Sequence, residues 1–377
     1  MSKTLLPPGC YDLLPPFAQA ETELVSALLS VFEAHGYAQA APPLIEYTES
    51  LLAGRGLALA SQVFRLMDTA SHQVMGLRAD ITLQIARIAS GRLSNAPLPL
   101  RLSYAGPVLR AKGENRGGRQ LMQAGIELIG PDAPEADAEA ILVTCAALNK
   151  AGLESFSVDL NMPGIALSLL EGEALDNATL ESLMQAVAHK DVSAIAAFPI
   201  KHRDALAKLV GCAGPAREAL SALKKITLPP QAGELAAELE RVAALVQASL
   251  PASAMLTIDV TEARGLEYHT GVTFSFFVKG SPTEIGSGGR YRIEDGHFRR
   301  EATGCTLYVN ALSRLLPAPA ALKRIFVATP SDSATLAALH AQGFVTVNAL
   351  PGYGNDRAAA AEQGCTHYFA NGSLEEL

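Results

Sequence analysis

The chain has 377 residues, with 30 Lys and Arg against 38 Asp and Glu, a formal net charge of −8, 49% hydrophobic and 18% charged residues. Length and apolar content suit a large core and at least two domains, and the acidic balance gives no overall electrostatic drive toward nucleic acid. No stretch reads as a transmembrane helix and the opening MSKTLLPPG lacks a long apolar run, so neither a membrane span nor a signal peptide is expected. The cysteines (Cys10, Cys145, Cys212, Cys305 and Cys365) are odd in number and lack metal-ligand spacing, which predicts a reduced cytoplasmic protein with unpaired thiols.

In chain order, Leu5 to Pro16 is an extended lead-in punctuated by prolines. Leu24, Leu28, Val31 and Phe32 fall at helical spacing and predict a helix over Phe17–His35, stopped by Gly36. A strand is expected through Ala40–Ile45. Phe64–Asp68 and Gly76–Thr82 read as a hairpin running into a helix start, where Asp80 and Thr82 suit the first turn. The same carboxylate and hydroxyl could instead hold an ammonium group, which needs acceptors rather than donors.

Arg101 to Gly130 reads as two strands joined by the glycine-rich loop Lys112–Gly118. In the second strand Arg119, Leu121, Gln123, Gly125, Glu127 and Ile129 share one face, and Gln120, Met122, Ala124, Ile126 and Leu128 share the other. The second set is an ordinary core face. The first places Gln123 and Glu127 about 13 Å apart with bare Gly125 between them. A small polar ligand could lie on that glycine, held at each end; a solvated edge hairpin fits the same pattern.

Pro134–Leu148 looks helical, and Glu154–Asn161 alternates as a strand. From Gly164 to Leu250 the pattern is helical and alanine-rich, with Leu235, Leu239, Val242, Leu245 and Val246 in one stripe, a helical insertion at about 164–252. Val272, Phe274, Phe276 and Val278 alternate as a buried strand face, and Gly286–Tyr291 fits a tight turn. Residues 321–377 alternate short strands and helices, a small α/β module with no concentrated basic face for RNA. His340 and His367 in it read as surface or packing residues.

Gly106–Arg110 and Arg119–Glu127 together resemble motif 2 of the class II aminoacyl-tRNA synthetases, specifically the histidyl enzymes. Helix 17–35 and the proline-containing segment after it look like motif 1, the family's dimer interface. Leu77-Arg78-Ala79-Asp80-Ile81-Thr82 is similar to the family's Leu-Arg-Pro-Glu-x-Thr, with alanine for proline and the shorter aspartate for glutamate. Arg264-Gly265-Leu266-Glu267-Tyr268-His269 resembles the Arg-Gly-Leu-Asp-Tyr-Tyr box, His269 replacing the second tyrosine. The resemblance implies an α+β fold. Its core, 1–320, would be class II synthetase-like, an antiparallel sheet flanked by helices, followed by the small module.

It also implies a histidine pocket. Asp80 and Thr82 would take the ammonium, Arg264 the carboxylate through its planar fork, and Gln123 would help at that end. Glu127, Tyr268 and His269 would surround the imidazole; Arg110 has a family role shared between substrate and ATP. For Arg264 a salt bridge with Glu262 or Glu267 is the alternative.

The ATP side departs from the family. Motif 3 should read Gly-Phe-Ala-x-Gly-x-Glu-Arg, but here Tyr308 stands for the second glycine, Asn310 for the glutamate and Ala311 for the arginine. Arg314 could replace the arginine only through a register shift. In motif 2, Arg-x-Glu has become Arg110-Ala111-Lys112. Activation depends on stabilising charge at the α-phosphate, so histidine binding without adenylation is expected, with no catalytic residue, no metal and no cofactor. These departures resemble the regulatory subunits of ATP phosphoribosyltransferase. That family implies a non-catalytic chain in a hetero-octamer with a short-form catalytic subunit, a self-dimer through the core, and histidine as feedback effector. Neither nucleic acid nor membrane is an expected partner. A divergent histidyl-tRNA synthetase and a stand-alone histidine sensor are the other readings.

Overall fold

The computed structural model describes residues 5–114, 118–173, 175–262 and 269–377. Leu24, Leu28 and Phe32 bury one face of helix α1 (Phe17–Ala34), and Gly36, at φ +83°, turns the chain out of it. Strand β1 (Ala38–Gln39) follows. The expected strand over Ala40–Ile45 is not there: β2 begins only at Ile45 (Ile45–Tyr47). Pro42 and Pro43 have no N–H to give a ladder, and their carbonyls instead accept from Arg78 Nη1 and Gln84 Nε2, each at 2.8 Å. After the short α2 (Thr48–Leu51), β3 (Phe64–Met67) and β4 (Val74–Leu77) form the hairpin that leads into α3 (Thr82–Ser90), as the sequence predicts.

The long strands β5 (Leu100–Glu114) and β6 (Gly118–Gly130) pair as a hairpin, and α4 (Pro134–Lys150) and β7 (Phe156–Asn161) follow. Next come α5 (Pro163–Ser168), α6 (Asn177–Ala188), α7 (Val192–Ala196), α8 (Arg203–Leu209), the short β8 (Ala213–Pro215), α9 (Ala216–Leu223) and α10 (Pro230–Ser249). On α10, Leu239, Val242 and Val246 are buried while Leu245 is exposed, so the apolar stripe is narrower than its spacing suggests. The chain returns through β9 (Ala254–Asp259), β10 (His269–Phe277), β11 (Gly286–Asp295) and β12 (Phe298–Tyr308) to α11 (Val309–Ser313). The predicted turn at Gly286–Tyr291 is thus the first half of a strand. Its glycines serve close packing: a Cβ on Gly288 would sit 2.1 Å from Gly304 O, and one on Gly286 2.6 Å from Leu307.

These strands make one sheet in the order β1-β5-β6-β12-β11-β10-β7-β9-β8, antiparallel from β5 through β7. Ala124, Ile126 and Leu128 face a large core shared with α1, α4 and α10. Leu121 and Ile129 face the opposite way, into a smaller core with Ile81, Ile85, Tyr104 and Tyr291. The alternation read from β6 therefore separates the two faces correctly. All five cysteines are free thiols, and four of them are buried. Among the described residues no helix is long and apolar enough to cross a membrane.

The chain divides into two compact units, Met1–Pro317 and Ala318–Leu377. The second holds β13 (Arg324–Val327), α12 (Ser333–Ala341), β14 (Val345–Asn348), α13 (Arg357–Glu362), β15 (His367–Ala370) and β16 (Ser373–Glu376), in sheet order β14-β13-β15-β16. Its two histidines make packing contacts: His340 bonds Thr346 Oγ1 at 2.9 Å, and His367 meets the Phe344 ring edge-on.

Candidate ligand pocket

Strands β6, β12, β11 and β10 lie abreast, and their register aligns Glu127, Gly304, Gly289 and Thr273 in one row and Gly125, Thr306 and Ser287 in the next. Over these rows opens a cavity of about 260 Å3, lined by Asp80, Thr82, Glu127, His269, Tyr291, Thr306 and Tyr308 among others.

Asp80 takes its expected place at the start of α3. One oxygen accepts from the Thr82 N–H at the start of α3 (2.9 Å), and the other accepts from Gln123 Nε2 (2.8 Å). Gln123 returns the fixation, accepting from the Ile81 N–H at 3.2 Å. Gln123 is fully buried and does not line the cavity; it acts on the pocket by holding Asp80. Two buried arginines brace the same segment. Arg78 Nε donates to Pro107 O (2.8 Å) and Arg110 Nε to Ala79 O (3.3 Å), so Arg110 sits behind the lining rather than in it. A carboxylate oxygen has two lone pairs, which leaves Asp80 and the Thr82 hydroxyl able to accept further at one end of the cavity.

The space over Gly125 is not open to a ligand. The Tyr104 hydroxyl occupies it, 3.1 Å from Thr82 Oγ1 and 2.7 Å from Thr306 Oγ1, and a Cβ on Gly125 would lie 2.4 Å from that oxygen. The glycine admits a tyrosine from the neighbouring strand, not a substrate. The cavity nonetheless reaches Glu127.

Glu127 is fully buried, and Tyr291 OH donates to its Oε2 at 2.9 Å. Its Oε1 has no hydrogen-bond donor among the described residues. Burial pushes the carboxyl up to about 8; the hydroxyls of Thr82, Tyr291 and Tyr104 pull it down, and the Asp80 charge adds to the rise. A Cβ on Gly304 would fall 1.8 Å from Glu127 Oε2, so only glycine permits the carboxyl to lie flat against β12. An N–H donor brought to the orphaned Oε1 would favour the ionised carboxylate.

His269 opens β10 opposite Tyr291 and lines the cavity. Arg264 and Tyr268 lie outside the described residues. Of the expected set, then, Asp80, Thr82, Glu127 and His269 share the cavity wall, while Gln123 and Arg110 support it. Tyr291, Thr306 and Tyr308 complete the wall, with buried Tyr104 behind it, and as pocket residues these escape sequence reasoning. The hairpin register carries one usable signal: Tyr104 pairs directly with Gly125.

On the expected ATP side, β12 pairs with β6 without interruption from Glu301 to Tyr308, so no register shift carries Arg314 inward; it caps α11 and is exposed. Tyr308 ends β12 opposite Gln123, its hydroxyl 3.1 Å from Ser287 Oγ. Asn310 is spent on structure: Oδ1 accepts the Met122 N–H, and Nδ2 donates to Tyr11 OH and Glu21 Oε2, both at 3.2 Å. Ala311 packs on the main core.

The sequence profile of the Histidyl-tRNA synthetase family matches residues 9–312. A solved structure described as an ATP phosphoribosyltransferase regulatory subunit/histidyl-tRNA synthetase from Bacillus halodurans matches with a TM-score of 0.83 and 24% identity, over 98% of this chain and 97% of that one. Fold and pocket thus define a class II, histidyl-tRNA synthetase-like protein. Over all of its 377 residues the chain is 43% identical to the ATP phosphoribosyltransferase regulatory subunit of Paramagnetospirillum magneticum, spanning 98% of that protein. It is 42% identical to the one from Rhodospirillum centenum, spanning 97%. The chain belongs to the ATP phosphoribosyltransferase regulatory subunit family.

Proposed function

We propose that this chain is the non-catalytic regulatory subunit of an ATP phosphoribosyltransferase, a glycosyltransferase, and that its pocket senses L-histidine in the cytoplasm. The observation that carries the reading is full-length identity of 42–43% to relatives of that name. The pocket supports the choice of effector. Acceptors at one end, Asp80 and Thr82, suit an α-ammonium group, and the orphaned Glu127 Oε1 at the other suits an imidazole N–H. Arg264 would take the carboxylate and Tyr268 would close on the ring. The residues standing where motif 3 grips ATP, Asn310 and Ala311, offer no cation, which supports binding without adenylation.

In this reading the partner is the short-form catalytic subunit that joins ATP to phosphoribosyl pyrophosphate, the first step of histidine biosynthesis. The assembly is a hetero-octamer containing self-dimers of this chain. Feedback follows from linkage: histidine binds one conformation of the complex better, and only that difference in affinity can shift catalysis. Co-expression with the short-form subunit from the same source, followed by size measurement and titration calorimetry with histidine, tests the proposal. A mixed complex that takes up histidine at this chain supports it; separate elution of the two chains, or no heat with histidine, contradicts it.

A further inference from the structure

Tyr104, Gly125 and Thr306 stand in one cross-strand row of β5, β6 and β12, with Gly125 paired directly to each of the other two. Tyr104 is fully buried, and its ring packs in the smaller core with Ile81, which precedes α3, and Ile85 within it. Gly125 leaves the space through which the phenol crosses the middle strand, since a Cβ there would lie 2.4 Å from the hydroxyl oxygen. The hydroxyl ends between two others. Thr82 Oγ1, on the first residue of α3, is 3.1 Å away, and Thr306 Oγ1, on β12, is 2.7 Å away. Burial, with the Glu127 and Asp80 charges nearby, holds the phenol well above its ordinary range, so the hydroxyl keeps its single proton.

That single proton gives the row of hydroxyls a direction. Tyr104 can donate to Thr82 or to Thr306, but not to both. When it donates to Thr306 it is free to accept the Thr82 proton, and both lone pairs of Thr82 Oγ1 remain for the cavity. When it donates to Thr82, one of those lone pairs is filled and the Thr82 proton is displaced. The nearby Glu127 Oε1 has no donor within hydrogen-bond distance among the described residues, so the displaced proton is left facing the cavity. An ammonium group has donors only. It meets Thr82 well in the first arrangement and poorly in the second. The contact with Thr306 is the shorter of the two and has the usual length of an O–H to O bond, which favours the first. Asp80 acts at the same end, but the Thr82 N–H and Gln123 Nε2 hold it without help from Tyr104.

We propose that Tyr104 is a positioning residue: by taking the Thr82 proton and giving its own to Thr306, it presents Thr82 to the cavity as an acceptor and makes the pocket select ligands that carry an α-ammonium group. The inference rests on the reading of this pocket as a histidine site. It assigns the preference for an amino acid, over the same molecule without its amine, to a side chain that does not line the cavity.

Titration calorimetry on the full chain with L-histidine and with 3-(imidazol-4-yl)propionate, which is histidine without its ammonium group, tests this, with urea unfolding to confirm that each variant folds. Tyr104→Phe keeps the ring and removes the acceptor for the Thr82 proton. Its affinity for histidine should fall about 10-fold, while its affinity for the propionate stays within about 2-fold of the unaltered chain. Thr306→Val leaves Tyr104 whole, removes the acceptor for the phenol proton, and should lower the preference for histidine in the same direction. A role in packing alone would weaken both ligands alike. Equal weakening of the two ligands, or a histidine preference indifferent to both substitutions in folded variants, would overturn the proposal and leave the histidine reading standing. No heat with histidine on the unaltered chain would instead overturn that reading, and this proposal with it.

Discussion

Replacing Glu127 by glutamine should stabilise the ligand-free protein, and by an amount that depends on pH. The folded carboxyl titrates at about 8 against an ordinary 4.5. Between those values the folded chain holds a proton that the unfolded chain has released, so folding takes up a proton and stability falls as pH rises through the window. The contribution is whole below the ordinary value and gone above about 8. One bound proton makes stability change by roughly 1–1.5 kcal/mol for every pH step of one, so from pH 5.5 to 7.5 the wild type should lose roughly 3 kcal/mol relative to Glu127→Gln. The amide keeps the shape and an oxygen for Tyr291 to donate to. Urea unfolding of both proteins across pH 5.5 to 9, without histidine, gives the difference directly. It should widen with pH and level off above about 8. A difference that stays constant across this range would refute the assignment of a desolvated, proton-holding Glu127.

Tyr291→Phe removes a donor that holds the Glu127 carboxyl down, so the levelling point of that same profile should move to higher pH, and histidine affinity measured by calorimetry should fall. Gly304→Ala forces a methyl into Glu127 Oε2 and should cost roughly 1–3 kcal/mol in urea unfolding while abolishing histidine uptake; a bystander would lose neither. Arg290 binds Asp137, whose side chain is fully buried, and also pairs with Asp132 (2.8 Å) and Glu238 (2.6 Å), joining β11 to α4 and α10. Arg290→Met strands the Asp137 charge and should cost about 3–5 kcal/mol, a loss that shrinks in the double variant with Asp137→Leu.

The residues legible from sequence are those whose roles follow from local alternation or spacing. The two faces of β6 separate because a strand's side chains alternate, and Asp80 and Thr82 find their place because a helix start needs an acceptor. Cross-strand placement is not legible in this way. Tyr104 fills the space over Gly125 only because β5 and β6 pair in one register. Tyr291 reaches Glu127 across β12, 164 residues along the chain. Gly286–Tyr291 resembles a turn because glycine signals both sharp turns and close packing; here Gly288 lies against the Gly304 carbonyl within the sheet. The strand expected over Ala40–Ile45 fails for the converse reason: its apolar residues fit a strand, but Pro42 and Pro43 give their carbonyls to Arg78 and Gln84.

In the proposed function this chain regulates a phosphoribosyl transfer and does not activate histidine. The most direct measurement mixes it with the short-form catalytic subunit from the same source and follows phosphoribosyl-ATP formation with and without histidine. A rate that depends on this chain and falls as histidine is added is the predicted result. An unchanged rate, together with histidine-dependent exchange of pyrophosphate into ATP by this chain alone, would contradict it and make the protein a working synthetase.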